Sequence, residues 1–558
     1  MKFVPHDYQQ TALDFMMSHN RALIIQDMGL GKTVTSLTAI KKSMFPTDGS
    51  EPRYRRPLII APKIVSENTW ANELAKWDHL KTLKYIELDA TRVDQRIEQF
   101  DRIDDGVLTI MSESKIQWLI DTLNDVTQDR EWPWDCVYID EISIFKSPKS
   151  QRFKNLKKKL QNRCDYVYGL TGTPAPNDLA DLWAIMLLID RGARLGDTRK
   201  YFNKTYCKGI TVKVNGGDQE ITNYKVADEA YDRVLEDISD ICIAMSAKDH
   251  LDDNPEIELH KHEVKLPKKT LDLIDELTVK RVLELAGRES SHKVERIERR
   301  IEKYQASGSL AKQRRIPKLR QKAQRIKDAE GSGDIVLRAS HVFSLISIGR
   351  QIAGGAVYEG VPETDDEDLI AEFYKNRRVI EDNDTKLAKV QEIVDGVNDN
   401  VLIFYHYKHE ADRIKSLYPD AKVLNTANAR RVIPEWNRKR IRVLLANPAS
   451  TKFGLNMQDG GHTIIWYGLD YSFEKYVQSN ARLARQGQKN KVDVHLLLAA
   501  DTIDRDIEAA IVSKSSINDF VYDSLSASKE ARAEVQRAAT DRIGKATQRA
   551  TGRRVIVQ

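Results

Sequence analysis

Short runs rich in apolar residues recur along this chain at helix-length intervals, and that rhythm restricts the fold more than any other feature. In the first third the runs are Ala22–Ile25, Leu58–Ala61, Val107–Met111, Cys136–Ile139 and Tyr166–Leu170. They return as Val401–Tyr405, Val443–Ala446, Thr463–Tyr467 and Val492–Leu498. A strand that is apolar on both faces must be covered on both faces, which is the situation of a parallel sheet between helical layers. The expected fold class is therefore α/β, with two parallel-sheet lobes. At 558 residues the chain is long enough for three or four units, at about 100–200 residues each. The expected divisions are residues 1–190 for the first lobe, 191–334 for a mostly helical region, 335–515 for the second lobe and 516–558 for a polar, basic tail.

The middle region holds a distinctive piece. Val294, Ile297, Ile301 and Tyr304 form one narrow apolar stripe at helical spacing, and Ile316, Leu319, Ala323 and Ile326 form another. Ala306-Ser307-Gly308-Ser309 between them reads as a turn, so an antiparallel helical hairpin is expected over about 290–331. Its second helix is rich in uncompensated cations, among them Arg314, Arg315, Lys318 and Arg320. Such a run is either a grip for nucleic-acid phosphates or a solvated charged face. The net charge of the whole chain is only +5, so basic residues can steer a polyanion only where they are concentrated.

Other classes are disfavoured. The amino terminus has no apolar stretch that could act as a signal peptide, and no run approaches the ~20 residues that span a bilayer. A cytoplasmic protein without a membrane partner is expected. The four cysteines, Cys136, Cys164, Cys207 and Cys242, are scattered without a C-x-x-C pair. Neither a zinc ribbon nor a disulfide framework is built that way.

Two motifs carry chemistry. Gly29-Leu30-Gly31-Lys32-Thr33 follows one apolar run and precedes the helical pattern Thr35–Lys42, the strand–loop–helix context of a phosphate loop. Gly29 and Gly31 let backbone N–H groups turn toward phosphate oxygens at a helix N-terminus. Lys32 would add a point charge, and the Thr33 hydroxyl a ligand for Mg²⁺. Gln26 stands where the full G-x-x-x-x-G-K-T pattern has its first glycine. Asp140-Glu141 closes the run Cys136–Ile139, at the strand end where ligands bind in open α/β sheets. There Asp140 would hold Mg²⁺, and Glu141 would act as general base toward water.

These motifs have company in the right order. Asp27–Thr33, Asp140-Glu141, Leu170-Thr171-Gly172-Thr173-Pro174 and Gln478–Gln488 occur in the order of motifs I, II, III and VI of helicase superfamily 2. The chain resembles the Swi/Snf-type branch of that superfamily, in a bacterial or phage version. Pro5–Gln9 is similar to the branch's adenine-recognition motif, Leu58–Trp77 to motif Ia, Val401–Tyr407 to motif IV and Asn447–Gln458 to motif V. Gln478–Gln488 fits Q-x-x-x-R-x-x-R-x-G-Q. Two departures stand out: Ser143 replaces the usual His or Asp of motif II, and Lys452-Phe453-Gly454 replaces a glycine pair in motif V.

The resemblance implies two RecA-like lobes with ATP and Mg²⁺ between them, and nucleic acid bound across both. It implies that Gln9 reads the base, that Arg485 is the arginine finger, and that Arg482 and Gln478 complete the nucleotide contacts from the second lobe. Thr171 and Thr173 would couple the nucleotide and nucleic-acid sites. Lys63 and Lys452, in motifs Ia and V, would join the hairpin cations on phosphates. The expected activity is nucleic-acid-stimulated ATP hydrolysis by a translocase on double-stranded DNA. The alternatives are a strand-separating or branch-migrating helicase on DNA or RNA, a non-hydrolysing scaffold, and the motor subunit of a restriction or defence complex.

Overall fold

The computed structural model describes residues 1–63, 65–90, 92–125, 132–214, 219–250, 255–274, 347–358, 379–425, 427–450 and 456–525, with short helical pieces between 298 and 320. In the first lobe the strands are β1 (Arg21–Gln26), β2 (Pro57–Ala61), β3 (Lys84–Glu87), β4 (Val107–Ser112), β5 (Cys136–Asp140) and β6 (Tyr166–Thr171). A separate antiparallel pair, β7 (Cys207–Val214) and β8 (Gln219–Val226), precedes β9 (Cys242–Met245). β9 returns to the main sheet, which has the order β3-β4-β2-β5-β6-β1-β9 and is parallel throughout.

The apolar runs are sorted by the two-residue period of a strand. Leu23, Ile25, Leu58, Ile60, Val137 and Ile139 enter one hydrophobic cluster, which also holds Leu119, Leu156, Ile185 and Leu235 from helices on that face. Ala22, Ile24, Ile59, Ala61, Cys136 and Tyr138 enter the other, against α1 (Asp7–Ser18), α2 (Lys32–Met44) and α3 (Trp70–Lys76). Because both faces are covered, each run reads as continuously apolar.

The second lobe repeats the plan. β10 (Ile257–Val264) is followed by the small antiparallel pair β11 (Ala356–Tyr358) and β12 (Val379–Glu381). Then come β13 (Val401–Phe404), β14 (Lys422–Leu424), β15 (Val443–Ala446), β16 (Thr463–Trp466) and β17 (Val492–Ala499). Its parallel sheet has the order β10-β17-β16-β13-β15-β14. Two RecA-like lobes are thus present, as the resemblance implies. No described helix is long and apolar enough to cross a membrane.

Two of the expected boundaries move. The region 191–334 is not mostly helical at its start: β9 completes the first sheet and β10 opens the second, so the chain crosses between sheets after Met245 and before Ile257. β9 is only four residues long, and β10 (Ile-Glu-Leu-His-Lys-His-Glu-Val) is an edge strand whose polar residues leave no apolar run. At the other end, residues from 516 do not begin a loose tail. The helix Ile503–Leu525 continues through them. Its Ile507 and Ile511 pack in the second lobe, whereas Ile517, Val521, Tyr522 and Leu525 enter the core of the first. Burying a side chain of that size contributes about 1.5–3 kcal/mol, so four of them anchor the helix. The Asn518 amide adds two hydrogen bonds to the backbone of Ala175, accepting from its N–H at 3.2 Å and donating to its carbonyl at 2.8 Å.

Of the basic hairpin, the described pieces are helical, with Ile301 and Ile316 buried and Arg320 exposed. Arg314, Arg315 and Lys318 lie outside the described residues, as do Lys452 and the tail beyond Leu525.

Candidate functional site

β1 ends at Gln26, and the chain turns through Gly29 (φ 91°) and Gly31 (φ 77°) before α2 starts at Lys32. Both glycines occupy the left-handed region that strains other residues. Gly31 has a second constraint, because a Cβ there would lie 2.5 Å from Gln9 Nε2. Gln26, in place of the pattern's first glycine, remains part of the sheet. Its buried amide donates toward Met245 Sδ at 3.3 Å on β9.

Lys32 folds back over its own loop, and its Nζ donates to the carbonyl oxygens of Gln26 (2.5 Å) and Asp27 (3.2 Å). Thr33 follows in the first turn of α2. Gln9 braces the loop: its Nε2 donates to Leu30 O at 3.2 Å, and its Oε1 accepts from the His6 N–H at 3.0 Å.

Two carboxylates end β5 beside Lys32. Asp140 is buried, and its Oδ2 accepts a hydrogen bond from Trp70 Nε1 at 3.1 Å. Burial raises the Asp140 pKa, while Lys32 and the Trp70 N–H pull it back. Glu141 adopts φ 52° and ψ 50°, a left-handed conformation that costs a non-glycine residue roughly 1–2 kcal/mol. Strain of this kind clusters at working sites. Burial pushes the Glu141 carboxyl up to about 7, against the pull of Lys32 and with help from Glu474 and Asp140. Its Oε1 is buried and has no hydrogen-bond partner among the described residues. A carboxylate so poised can take a proton near neutral pH.

The loop after β6 lies against both motifs. Thr171 Oγ1 accepts from the Thr173 N–H at 3.0 Å, and Gly172 O accepts from Tyr522 Oη at 2.8 Å. Thr173 Oγ1 and Ser143 Oγ are buried without partners among the described residues. Gly172 is so near Lys32 that a Cβ on it would be 3.6 Å from Nζ.

The second lobe closes the site. Its helix Phe473–Asn480 is capped by Ser472, whose Oγ accepts from the Lys475 N–H at 3.3 Å. Gln478 Nε2 donates to Glu474 Oε1 at 3.3 Å. Glu474 Oε2 in turn lies 3.6 Å from Lys146 Nζ, an ion pair that crosses from one lobe to the other. Arg482 is buried; desolvation lowers its pKa to about 10, neighbouring Arg485 adds to the fall, and Glu141 of the first lobe opposes it. Arg485 Nη1 donates to Asn456 Oδ1 at 2.6 Å.

Lys32, Asp140, Glu141, Arg482 and Glu474 therefore lie near enough to feel one another's charge across the two lobes. Gln9 stands behind the loop, and Gln478 faces Glu474. Lys63 lies elsewhere, exposed just after β2, with its carbonyl accepting from Ser66 Oγ at 2.7 Å. Sequence reasoning did not single out Trp70, Lys146 or Glu474. Trp70 sits inside the quoted motif Ia, but nothing in its spacing shows that its N–H reaches Asp140.

Protein p41 of Acyrthosiphon pisum secondary endosymbiont phage 1 is 27% identical over 533 residues, covering 94% of this chain and 99% of that protein. The Arabidopsis thaliana protein Chromatin remodeling 19 is 26% identical over 189 residues, 32% of this chain and 24% of its own length. The chain thus spans the whole phage relative but under a quarter of the plant one. Among solved structures, the Sulfolobus solfataricus SWI2/SNF2 ATPase core in complex with dsDNA is similar over 98% of this chain and 97% of its own, with TM-score 0.38 and 17% identity. The family model for the SNF2-related domain matches residues 8–315, more than half of the chain. The chain belongs to the SNF2-related domain family and is a nucleic-acid-dependent ATPase.

Proposed function

We propose that this chain is an ATP-driven motor that moves along double-stranded DNA and remodels DNA or the protein complexes on it. The observation that carries the reading is the meeting of the two lobes at these motifs, where Arg482 of the second lies within electrostatic reach of Glu141 of the first and the Lys146–Glu474 pair bridges them. A site assembled from both lobes couples chemistry to their relative motion.

The residues fit a nucleotide with Mg²⁺. The left-handed Gly29–Gly31 turn presents backbone N–H groups, the Lys32 ammonium donates to carbonyls of its own loop, and Glu141 Oε1 is an acceptor without a donor among the described residues. Thr33 and Asp140 would hold the metal, which when bound neutralises phosphate charge. Lys32 would lie along the terminal phosphates. Glu141 would orient the attacking water and take its proton. Arg485 would act as the finger on transition-state charge, worth about 10³–10⁵ in turnover, with Arg482 joining it to Glu141. Thr171 and Thr173 would pass the nucleotide state to the nucleic-acid face.

Contacts to DNA would be mainly to phosphates, through Lys63, Lys452 and the hairpin cations Arg314, Arg315, Lys318 and Arg320. A relative named for chromatin remodelling supports DNA as the track, and full-length similarity to a phage protein supports a bacterial or phage-infected cell as the setting. The test is ATP turnover of the full chain titrated with duplex DNA, single-stranded DNA and RNA. Duplex DNA should stimulate most; stronger stimulation by RNA or single strands, or none by any, would overturn the proposal.

A further inference from the structure

Edge strand β10 and its neighbour β17 place five metal-ligating side chains on one face of the second sheet. Glu258, His260 and His262 alternate along β10. The parallel register sets Glu258 beside Asp493 and His260 beside His495, so all five project from the same side. His260 Nε2 is 2.9 Å from Asp493 Oδ1, and His262 Nε2 is 2.9 Å from His495 Nδ1. The His260 and His495 rings stack with centroids 4.6 Å apart. The ligand atoms of Glu258, His260 and Asp493 all lie within 4.8 Å of one another.

We propose that this face binds one divalent transition-metal ion of the Zn²⁺ class. The ligands are His260 Nε2 and carboxylate oxygens of Asp493 and Glu258, with water in the fourth position. Ligands about 2.0–2.2 Å from a tetrahedral ion stand roughly 3.3–3.6 Å apart, inside the span these atoms already occupy. Imidazole nitrogen with carboxylate oxygen is a donor set that zinc accepts and Mg²⁺ does not favour. On binding, the His260–Asp493 hydrogen bond gives way to two bonds to the ion, and Glu258 turns from Lys491, its present partner at 2.5 Å. Two imidazoles, His262 and His495, flank the ligands and hydrogen-bond to each other, which fixes ring orientation beside the site.

The placement gives the ion a structural consequence. β10 is the first strand after the chain crosses from one sheet to the other, and it is an edge strand with weakly apolar faces. An ion shared by β10 and β17 staples that crossing segment to the second lobe, and because it binds only the paired strands it stabilises the folded state.

The test uses the full chain stripped with chelator and free of nucleotide, titrated with Zn²⁺ by calorimetry and with Co²⁺ by visible absorption. One equivalent of Zn²⁺ should bind at micromolar or tighter affinity, with intense tetrahedral-type Co²⁺ bands. Both signals should disappear in a His260→Gln, Asp493→Asn double variant and persist in Asp140→Asn. Zn²⁺ should raise the melting temperature of the wild type and leave that of the double variant unchanged. The proposal is overturned by a wild type that takes up no Zn²⁺, by a double variant that binds as tightly as the wild type, or by binding that is lost in Asp140→Asn.

Discussion

Replacing Trp70 by Phe removes one N–H from the interior of the first lobe and keeps an aromatic ring in its place. That N–H is the donor to Asp140 Oδ2 at 3.1 Å, and both side chains are buried. A hydrogen bond to a charged acceptor contributes about 1.5–3 kcal/mol, at about 1.4 kcal/mol per factor of ten in an equilibrium constant. The donor favours the ionised form of Asp140, whose pKa burial already raises, so losing it drives the pKa further up. A protonated carboxyl is a poor metal ligand. The Mg²⁺ concentration that half-saturates nucleotide binding should therefore rise by about 10–100-fold, as when other partners of metal ligands are lost. The assay is binding of a fluorescent ATP analogue against Mg²⁺ concentration, paired with turnover at saturating Mg²⁺. Excess Mg²⁺ should restore most of the turnover, and the acid edge of the activity profile should move to higher pH. A folded Trp70→Phe protein with an unchanged Mg²⁺ requirement would refute the role given to the indole.

Three further variants have expected outcomes. Glu141→Gln should abolish turnover while DNA binding persists, and wild-type turnover should rise with pH as the Glu141 carboxyl ionises around 7. Because that folded-state pKa lies above the unfolded value, the wild type loses stability as pH climbs through it. Glu141→Gln should therefore melt higher than wild type at pH 8 and equally at pH 4, and equal melting at both would contradict the burial argument. Neutralising Arg314, Arg315, Lys318 and Arg320 together should weaken duplex binding and flatten its salt dependence; an unchanged slope removes the hairpin from the DNA path. Asn518→Ala deletes both hydrogen bonds to Ala175 and should destabilise the chain by about 1–3 kcal/mol in chemical denaturation, whereas no change would show that the C-terminal helix is not anchored there.

Most segments that are apolar on both faces are announced by their sequence, the four-residue β9 excepted. β1, β2, β4, β5 and β6 and the second-lobe strands β13, β15, β16 and β17 all coincide with runs of Val, Ile, Leu or Tyr. β3 and β14 did not, being three or four residues long with lysines or glutamate at their ends. β10 escaped notice because an edge strand needs no apolar face, and its histidines and glutamates disguise the period. The turn before α2 and the place of Asp140-Glu141 at a strand end were legible because each follows an apolar run that forms a strand. Trp70, Lys146 and Glu474 were not, since their partners lie across the fold. Their roles arise from tertiary packing, which neither periodicity nor spacing records. The Ile503–Leu525 helix shows the same limit: Ile517 is isolated among polar residues and Val521 sits in a three-residue apolar patch between Phe520 and Tyr522, yet both dock on a lobe whose strands lie hundreds of residues earlier.

In the proposed reaction a guanidinium from the second lobe completes catalysis on the first. Steady-state ATP turnover of Arg485→Ala with saturating duplex DNA measures it directly, with DNA affinity recorded on the same protein. The account predicts a loss of about 10³-fold or more with DNA affinity retained. Turnover near the wild-type rate would contradict it.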